Sequence, residues 1–160
     1  MADLFFLQED YEALQAYVAA AEARQREAMA SIGEVIEHTS GTWHDNPAFD
    51  YAQEQSRMWT MEVQKRTAIL TQAKIVQPTQ QSDTVEIGSR VSYRNETRGF
   101  VDEITVGSYM NIGPRKDDED VISYAAPLGQ ALMGHRVGDT VTVALESRKF
   151  SVTVLRISSS

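Results

Sequence analysis

Apolar residues recur at alternating intervals of three and four through the first half of the chain. The first run comprises Tyr11, Leu14, Val18, Ala21, Ala28, Ile32 and Val35, with Gln25 as its polar member. The second run comprises Phe49, Ala52, Trp59, Val63, Leu70 and Ala73, with Ser56 and Arg66 as its polar members. This spacing is the a/d seam of a coiled coil, so the pattern predicts two helices of about 30 residues, each about 45 Å long. Two such helices with a short break between them pair most simply as an antiparallel hairpin.

The break between the two runs predicts the tip of this hairpin at residues 41–47. Asparagine is favoured as a helix N-cap and proline in the first helical turn, so Asn46 and Pro47 predict that the second helix starts near Pro47. The same preference gives Asp45 and Asn46 a plain interpretation as caps. Trp43 is unusual at a tip, where a large aromatic marks a contact site or packs back onto the hairpin end.

The second half of the chain alternates apolar and polar positions, which is typical of half-buried strands. A polar stretch at 77–82, containing Pro78, separates it from the helical half and predicts a linker. The predicted strands span residues 85–93, 100–106, 140–145 and 149–157, with a short helix at 127–133 and a turn at 138–139. The predicted organisation is therefore α+β: a coiled-coil hairpin over 1–76, the linker, and a β-rich domain over 83–160.

The composition of the chain limits the kinds of binding site that we expect. The net charge of −8 argues against tight direct binding to a nucleic-acid backbone, and the absence of cysteine excludes disulfides and cysteine-based zinc sites. His38, His44 and His135 lack metal-ligand spacing, and the acidic run 117–120 lacks that of a calcium loop, so we expect no metal or cofactor held by the chain itself. The N-terminus does not resemble a secretory signal and no apolar run approaches about 20 residues, which favours a cytoplasmic protein without membrane contact.

Two segments resemble the GreA/GreB family of bacterial transcription elongation factors. Residues 41–54 read Gly-Thr-Trp-His-Asp-Asn-Pro-Ala-Phe-Asp-Tyr-Ala-Gln-Glu, against the family tip Gly-Asp-Leu-x-Glu-Asn-Ala-Glu-Tyr-x-x-Ala-Lys/Arg-Glu. Residues 122–139 are similar to the family's C-terminal signature, Ser-Pro-Leu/Ile-Gly, then Ala-Leu-x-Gly, then Val-Gly-Asp. The positions that match the tip are Gly41, Asn46, Ala52 and Glu54, with Asp45 in place of Glu and Phe49 in place of Tyr.

The resemblance implies an FKBP-like C-terminal domain and RNA polymerase as the partner. Family members insert the hairpin into the polymerase secondary channel, where two acidic tip residues help to hold a second Mg²⁺ that speeds cleavage of backtracked RNA. The chain would thus be no enzyme itself, would share the polymerase Mg²⁺ at most, and would meet the RNA 3′ end and DNA only within the transcription complex. The residues expected to contact polymerase are Thr42, Trp43, His44 and Asn46 at the tip and Pro127, Leu128 and Gly129 in the C-terminal signature.

One departure from the family pattern affects this expectation. The first tip acid of the family falls on Thr42, a neutral and poor Mg²⁺ ligand, which leaves Asp45 as the carboxylate in register. Either Asp45 alone supports weakened cleavage, or the chain is a non-cleaving paralogue that occupies the channel and modulates transcription. The substitution slightly favours the second interpretation.

Two other classes of function compete with this one. An FKBP-like domain suggests a prolyl isomerase or peptide-binding chaperone, although a fold alone does not carry a function. The heptads suggest a coiled-coil adaptor that dimerises. An intramolecular hairpin already buries the seam, so we expect a monomer, and sedimentation would separate these two cases.

Overall fold

The computed structural model describes residues 2–38, 46–115 and 119–159. The chain forms two compact units. The hairpin unit comprises Ala13–Gln72, and the sheet unit comprises Met1–Glu12 together with Ala73–Ser160. The α+β class predicted from the sequence is confirmed. No helix within the described ranges is long and apolar enough to cross a membrane.

The hairpin unit is built from two long helices, α1 (Gln8–His38, which begins in the sheet unit) and α2 (Pro47–Gln72). Two hydrogen bonds join the helices. The Tyr17 hydroxyl donates to Glu62 at 2.9 Å, and the Gln25 side chain donates to Thr60 at 3.0 Å, so a later residue of α1 meets an earlier residue of α2. The helices are therefore antiparallel, as predicted. Every seam position from Leu14 to Leu70 is buried or half-buried, because the heptad pattern places these side chains between the helices.

A small parallel pair of strands opens the sheet unit. β1 (Leu4–Phe6) pairs with β2 (Ala73–Ile75), with Leu4 opposite Ala73. Phe6 is fully buried, and its carbonyl accepts a hydrogen bond from the Val76 N–H at 2.8 Å. This pairing ends α2 at Gln72, so the expectation that Ala73 continues the helical seam was wrong. The sheet unit also includes residues 1–12 and 73–76, which the sequence-based boundary assigned to the hairpin.

The main sheet has five strands, which are β3 (Ser89–Asn95), β4 (Phe100–Gly107), β5 (Val121–Ser123), β6 (Thr140–Ala144) and β7 (Lys149–Ser159). Their order in the sheet is β5-β4-β3-β7-β6. All neighbours are antiparallel except β4 and β5, and the β3–β7 register shifts between Ser92 and Tyr93. A short helix, α3 (Pro127–Leu132), packs on the buried side, where valines alternate inward along the strands.

The structure corrects one predicted strand. The alternation over 85–93 suggested a continuous strand, but β3 begins only at Ser89. Gly88 has a φ of +99°, outside the extended region, and turns the chain there. Val85 and Ile87 are still buried, at 1% and 7% exposure, so the apolar positions were predicted correctly although the backbone conformation was not.

Candidate functional site

The described end of the tip is a capped helix start. The Asn46 side-chain oxygen accepts the Ala48 N–H at 3.0 Å, and its carbonyl accepts the Asp50 N–H at 3.2 Å. This confirms Asn46 as the N-cap and Pro47 as the first residue of α2. The other four predicted tip residues, Thr42, Trp43, His44 and Asp45, lie outside the described residues, and their roles stay predictions.

One face of the hairpin carries an aromatic groove that the heptad pattern did not reveal. Its floor includes the small, buried side chains of Ala28 and Ala52. The Arg24 guanidinium lies 5.1 Å from the centre of the Trp59 ring, within the range of a cation–π interaction. Tyr51, which is 68% exposed, also lines the groove, together with polar side chains of both helices. Trp59 was predicted as a seam residue, but it also contributes to this surface.

A charged cluster joins the two helices further from the tip. Glu62 accepts hydrogen bonds from the Arg66 guanidinium at 2.7 Å and from the Tyr17 hydroxyl at 2.9 Å. These two hydrogen bonds, with that of Arg66 the larger effect, hold the pKa of Glu62 below its ordinary value. The hydrogen bond to Glu62 in turn raises the pKa of Tyr17. The cluster therefore favours a charged Glu62 in the folded hairpin.

The three predicted contact residues of the C-terminal signature open α3, and their side chains differ in exposure. Pro127 is exposed, Leu128 is half-buried against the core of the sheet unit, and Gly129 is buried. A Cβ at Gly129 would lie 2.2 Å from the Ser123 carbonyl oxygen, so glycine is needed for α3 to approach the backbone after β5. The structure thus gives Gly129 a packing role, and contact with a partner stays a prediction for all three.

A buried polar cluster fixes the first turn of α1 within the sheet unit. Asp10 is 8% exposed and accepts the Ser108 hydroxyl at 2.6 Å and the Gly113 N–H at 2.8 Å. Ser108 is fully buried and its oxygen also accepts the Leu7 N–H at 2.8 Å. Asp10 and Ser108 are far apart in sequence and neither belongs to a local motif, so the sequence offered no signal for this pair.

The structure brings no metal-binding cluster together: within the described ranges, no group of three or more His, Asp or Glu side chains could hold an ion. His135 lies beside Asp139, with Nδ1 3.2 Å from the carboxylate. The Arg136 backbone N–H, followed by His135, lowers the pKa of Asp139. Because these contacts join neighbouring residues of one turn, they stabilise the approach to β6.

The fold defines a two-unit α+β protein whose first unit is an antiparallel helical hairpin. The family model described as "Transcription elongation factor, GreA/GreB, C-term" matches residues 80–159. A transcription elongation factor GreA of Mesomycoplasma hyopneumoniae is 30% identical over 119 residues, covering 74% of this chain and 72% of that protein. GreA of Sphingopyxis alaskensis is 31% identical over 144 residues, covering 88% and 86%.

A solved structure is also similar. The crystal structure of GreA factor homolog 1 from Thermus thermophilus has 24% sequence identity and a TM-score of 0.45, covering 97% of this chain and 98% of that chain. The family model and the GreA relatives together identify the family. The chain belongs to the GreA/GreB family of transcription elongation factors. Membership does not favour the isomerase, chaperone or adaptor alternatives.

Proposed function

We propose that this chain binds RNA polymerase through both units, inserts its hairpin into the secondary channel, and modulates elongation with transcript cleavage weak or lost. Factors of the GreA type are not enzymes themselves and stimulate cleavage by the polymerase. The observation that carries the proposal is the sequence of the tip in a chain of this family: Asp45 keeps one family acid, and Thr42 replaces the other.

The chemistry of Mg²⁺ explains why this replacement matters. Cleavage by two metal ions needs both ions about 4 Å apart, and Mg²⁺ is usually held by one or two carboxylates with water and phosphate completing its shell. At the tip, the Asp45 carboxylate is the residue that would hold such an ion, and the ion would polarise the phosphate and activate a water. A threonine hydroxyl carries no charge, so Thr42 adds little to that ligand set.

The expected loss of cleavage rate decides between a weakly cleaving factor and a non-cleaving one. Each 1.4 kcal/mol lost from transition-state stabilisation lowers the rate about tenfold, and a missing charged ligand costs several such factors. Asp45 also has a shorter side chain than the glutamate of the family pattern. We therefore propose a factor that occupies the channel and alters pausing, initiation or substrate entry rather than one that drives cleavage strongly.

The described parts of the chain agree with insertion of the hairpin. α1 has 31 residues and α2 has 26, and a helix of about 30 residues is about 45 Å long. The Asn46 cap, the residue after Asp45 in the sequence, fixes the start of α2 at Pro47. We propose that the chain acts as a monomer in the cytoplasm, that Pro127, Leu128 and Gly129 lie in the polymerase-docking surface, and that RNA and DNA are met only within the transcription complex.

RNA cleavage in stalled, backtracked polymerase complexes with Mg²⁺ tests the proposal. The proteins to compare are the wild type, Thr42→Asp and Asp45→Ala. We expect little cleavage by the wild type, competition with an active cleavage factor for the polymerase, and a gain of cleavage by Thr42→Asp that Asp45→Ala lacks. Strong cleavage by the wild type would refute the loss of function, and failure to compete would refute binding.

A further inference from the structure

Two adjoining cavities lie on either side of Glu86 in the sheet unit. The first, of about 270 Å³, is mainly apolar and is lined by Phe5, Val76, Ile87 and Met133, with Gln77 and Glu86 at its edge. The second, of about 410 Å³, is lined mostly by hydroxyl, amide and carboxylate groups, including those of Asp83 and Glu86. Because both share Glu86 and their linings continue along neighbouring residues, we treat them as one bipartite groove.

The residues around Glu86 are held in place by the chain itself. The Thr79 N–H donates to the Glu86 carboxylate at 2.6 Å, which holds the segment after β2 against the groove. Gly88 approaches the same segment so closely that an added Cβ would lie 2.7 Å from the Pro78 ring. The groove is therefore a formed feature of the sheet unit and needs no rearrangement to exist.

The groove carries negative charge and therefore favours a positively charged ligand group. Asp83 is exposed, Glu86 is half-buried, and neither makes an ion pair with a described Lys or Arg side chain. No Lys or Arg side chain among the described residues lines either cavity. The Glu86 carboxylate has lone pairs beyond those used by Thr79, so it can accept a further charge-assisted hydrogen bond. A cation next to an apolar group matches this arrangement.

We propose that the bipartite groove docks an extended segment of a protein partner in which a large apolar residue adjoins a lysine or arginine. The apolar side chain enters the cavity beside Ile87 and Met133, and the cation meets Glu86 and Asp83. The two carboxylates repel phosphate, which disfavours a nucleic-acid strand.

Titration of the uniformly ¹⁵N-labelled full chain with synthetic peptides tests the proposal by NMR. The probe is a capped Gly-Ser-Leu-Lys-Ser-Gly peptide, and the controls replace its Leu by Ser or its Lys by Glu. We expect the Leu-Lys peptide to shift the amide resonances of Thr79, Glu86 and Ile87, with a Kd on the order of 1 mM for so short a ligand. Each control peptide should bind at least about fivefold more weakly, the size of one partly exposed ion pair or of about one buried methylene group.

Two variants locate the binding. Glu86→Gln keeps the acceptor for the Thr79 N–H but removes the charge. It should weaken binding of the Leu-Lys peptide about fivefold and should not weaken binding of the Leu-Glu peptide, because it removes a repulsion there. Glu146→Gln, an exposed position in the β6–β7 turn, removes the same charge elsewhere and should have no effect. A Leu-Lys peptide that shifts nothing in the groove, equal binding of the control peptides, or binding of a short RNA oligonucleotide in the groove would each overturn the proposal.

Discussion

Replacing Gly129 by alanine tests how the C-terminal signature supports the fold. The Cβ added there would lie 2.2 Å from the Ser123 carbonyl oxygen and 3.0 Å from the Tyr124 Cα. Both obstacles are backbone atoms, so no side-chain rotation relieves the clash, and α3 must move away from β5 by about 1 Å to restore an ordinary contact. Overpacking of this kind costs about 1–3 kcal/mol, and a backbone obstacle favours the upper end.

Two other glycines provide matched controls for the same chemical change. Gly99 has a φ of +77° and open space around it, so Gly99→Ala should cost about 1 kcal/mol from backbone strain alone. Gly33 lies within α1 with nothing within 4 Å of an added Cβ, and Gly33→Ala should stabilise the hairpin unit by about 0.5–1 kcal/mol. The three substitutions thus predict a large loss, a small loss and a small gain.

Urea and thermal unfolding, followed by far-UV circular dichroism and by tryptophan fluorescence, measure these changes. For a domain of 60–100 residues, a loss of about 3 kcal/mol lowers Tm by on the order of 10–20 °C. Because Trp43 and Trp59 both belong to the hairpin unit, fluorescence separates the two units if they unfold independently. A Gly129→Ala protein as stable as Gly99→Ala would contradict the close approach of α3 to the Ser123 carbonyl oxygen.

Three further predictions concern the anchors of the helices. Ser108→Ala should destabilise the sheet unit by about 1–3 kcal/mol, because it leaves Asp10 and the Leu7 N–H each short of a buried partner; a change within error in the urea midpoint would contradict this. Asn46→Ala should cost the hairpin about 0.5–2 kcal/mol through loss of the cap, measured by tryptophan fluorescence in urea, whereas Asn46→Asp should retain most of that stability. Folding lowers the pKa of Glu62 below its ordinary 4.5, so the ionised carboxylate stabilises the hairpin above pH 4.5, and this stabilisation is lost as the pH falls through the lowered pKa. When the pH is lowered from 4.5, the urea concentration at the midpoint of hairpin unfolding should decrease in the wild type and decrease less in Glu62→Gln. Parallel pH dependences of the two proteins would refute this role of Glu62.

Local periodicity explains why the larger elements could be predicted from the sequence. The burial of Leu14, Val18 and Ala21 follows directly from heptad spacing, and the start of α2 follows from the capping chemistry of Asn46 and Pro47. These signals lie within a few residues of the structure they specify. The pattern could not locate the end of α2, because that end depends on pairing between strands nearly seventy residues apart.

The features that were missed depend on contacts distant in sequence. β1, β2 and β5 have three residues each, too few to show an alternating pattern. The hydrogen bond between Asp10 and Ser108 joins residues 98 positions apart, and neither residue type is unusual where it stands. The tip is different in kind. Its position follows from the break in the heptads, whereas its polymerase contacts come from the family resemblance, and of those contacts only Asn46 lies within the described residues.

The most direct test of the proposed insertion uses the absence of cysteine from the chain. A single cysteine introduced by Thr42→Cys can carry an iron chelate that generates hydroxyl radicals, with Ser147→Cys in the exposed β6–β7 turn as the control site. In a complex with RNA polymerase, we predict radical cleavage of polymerase segments around its active site from the label at position 42 and none there from the label at position 147. Equal cleavage patterns from the two sites, or no cleavage of polymerase from position 42, would contradict insertion of the hairpin tip into the secondary channel.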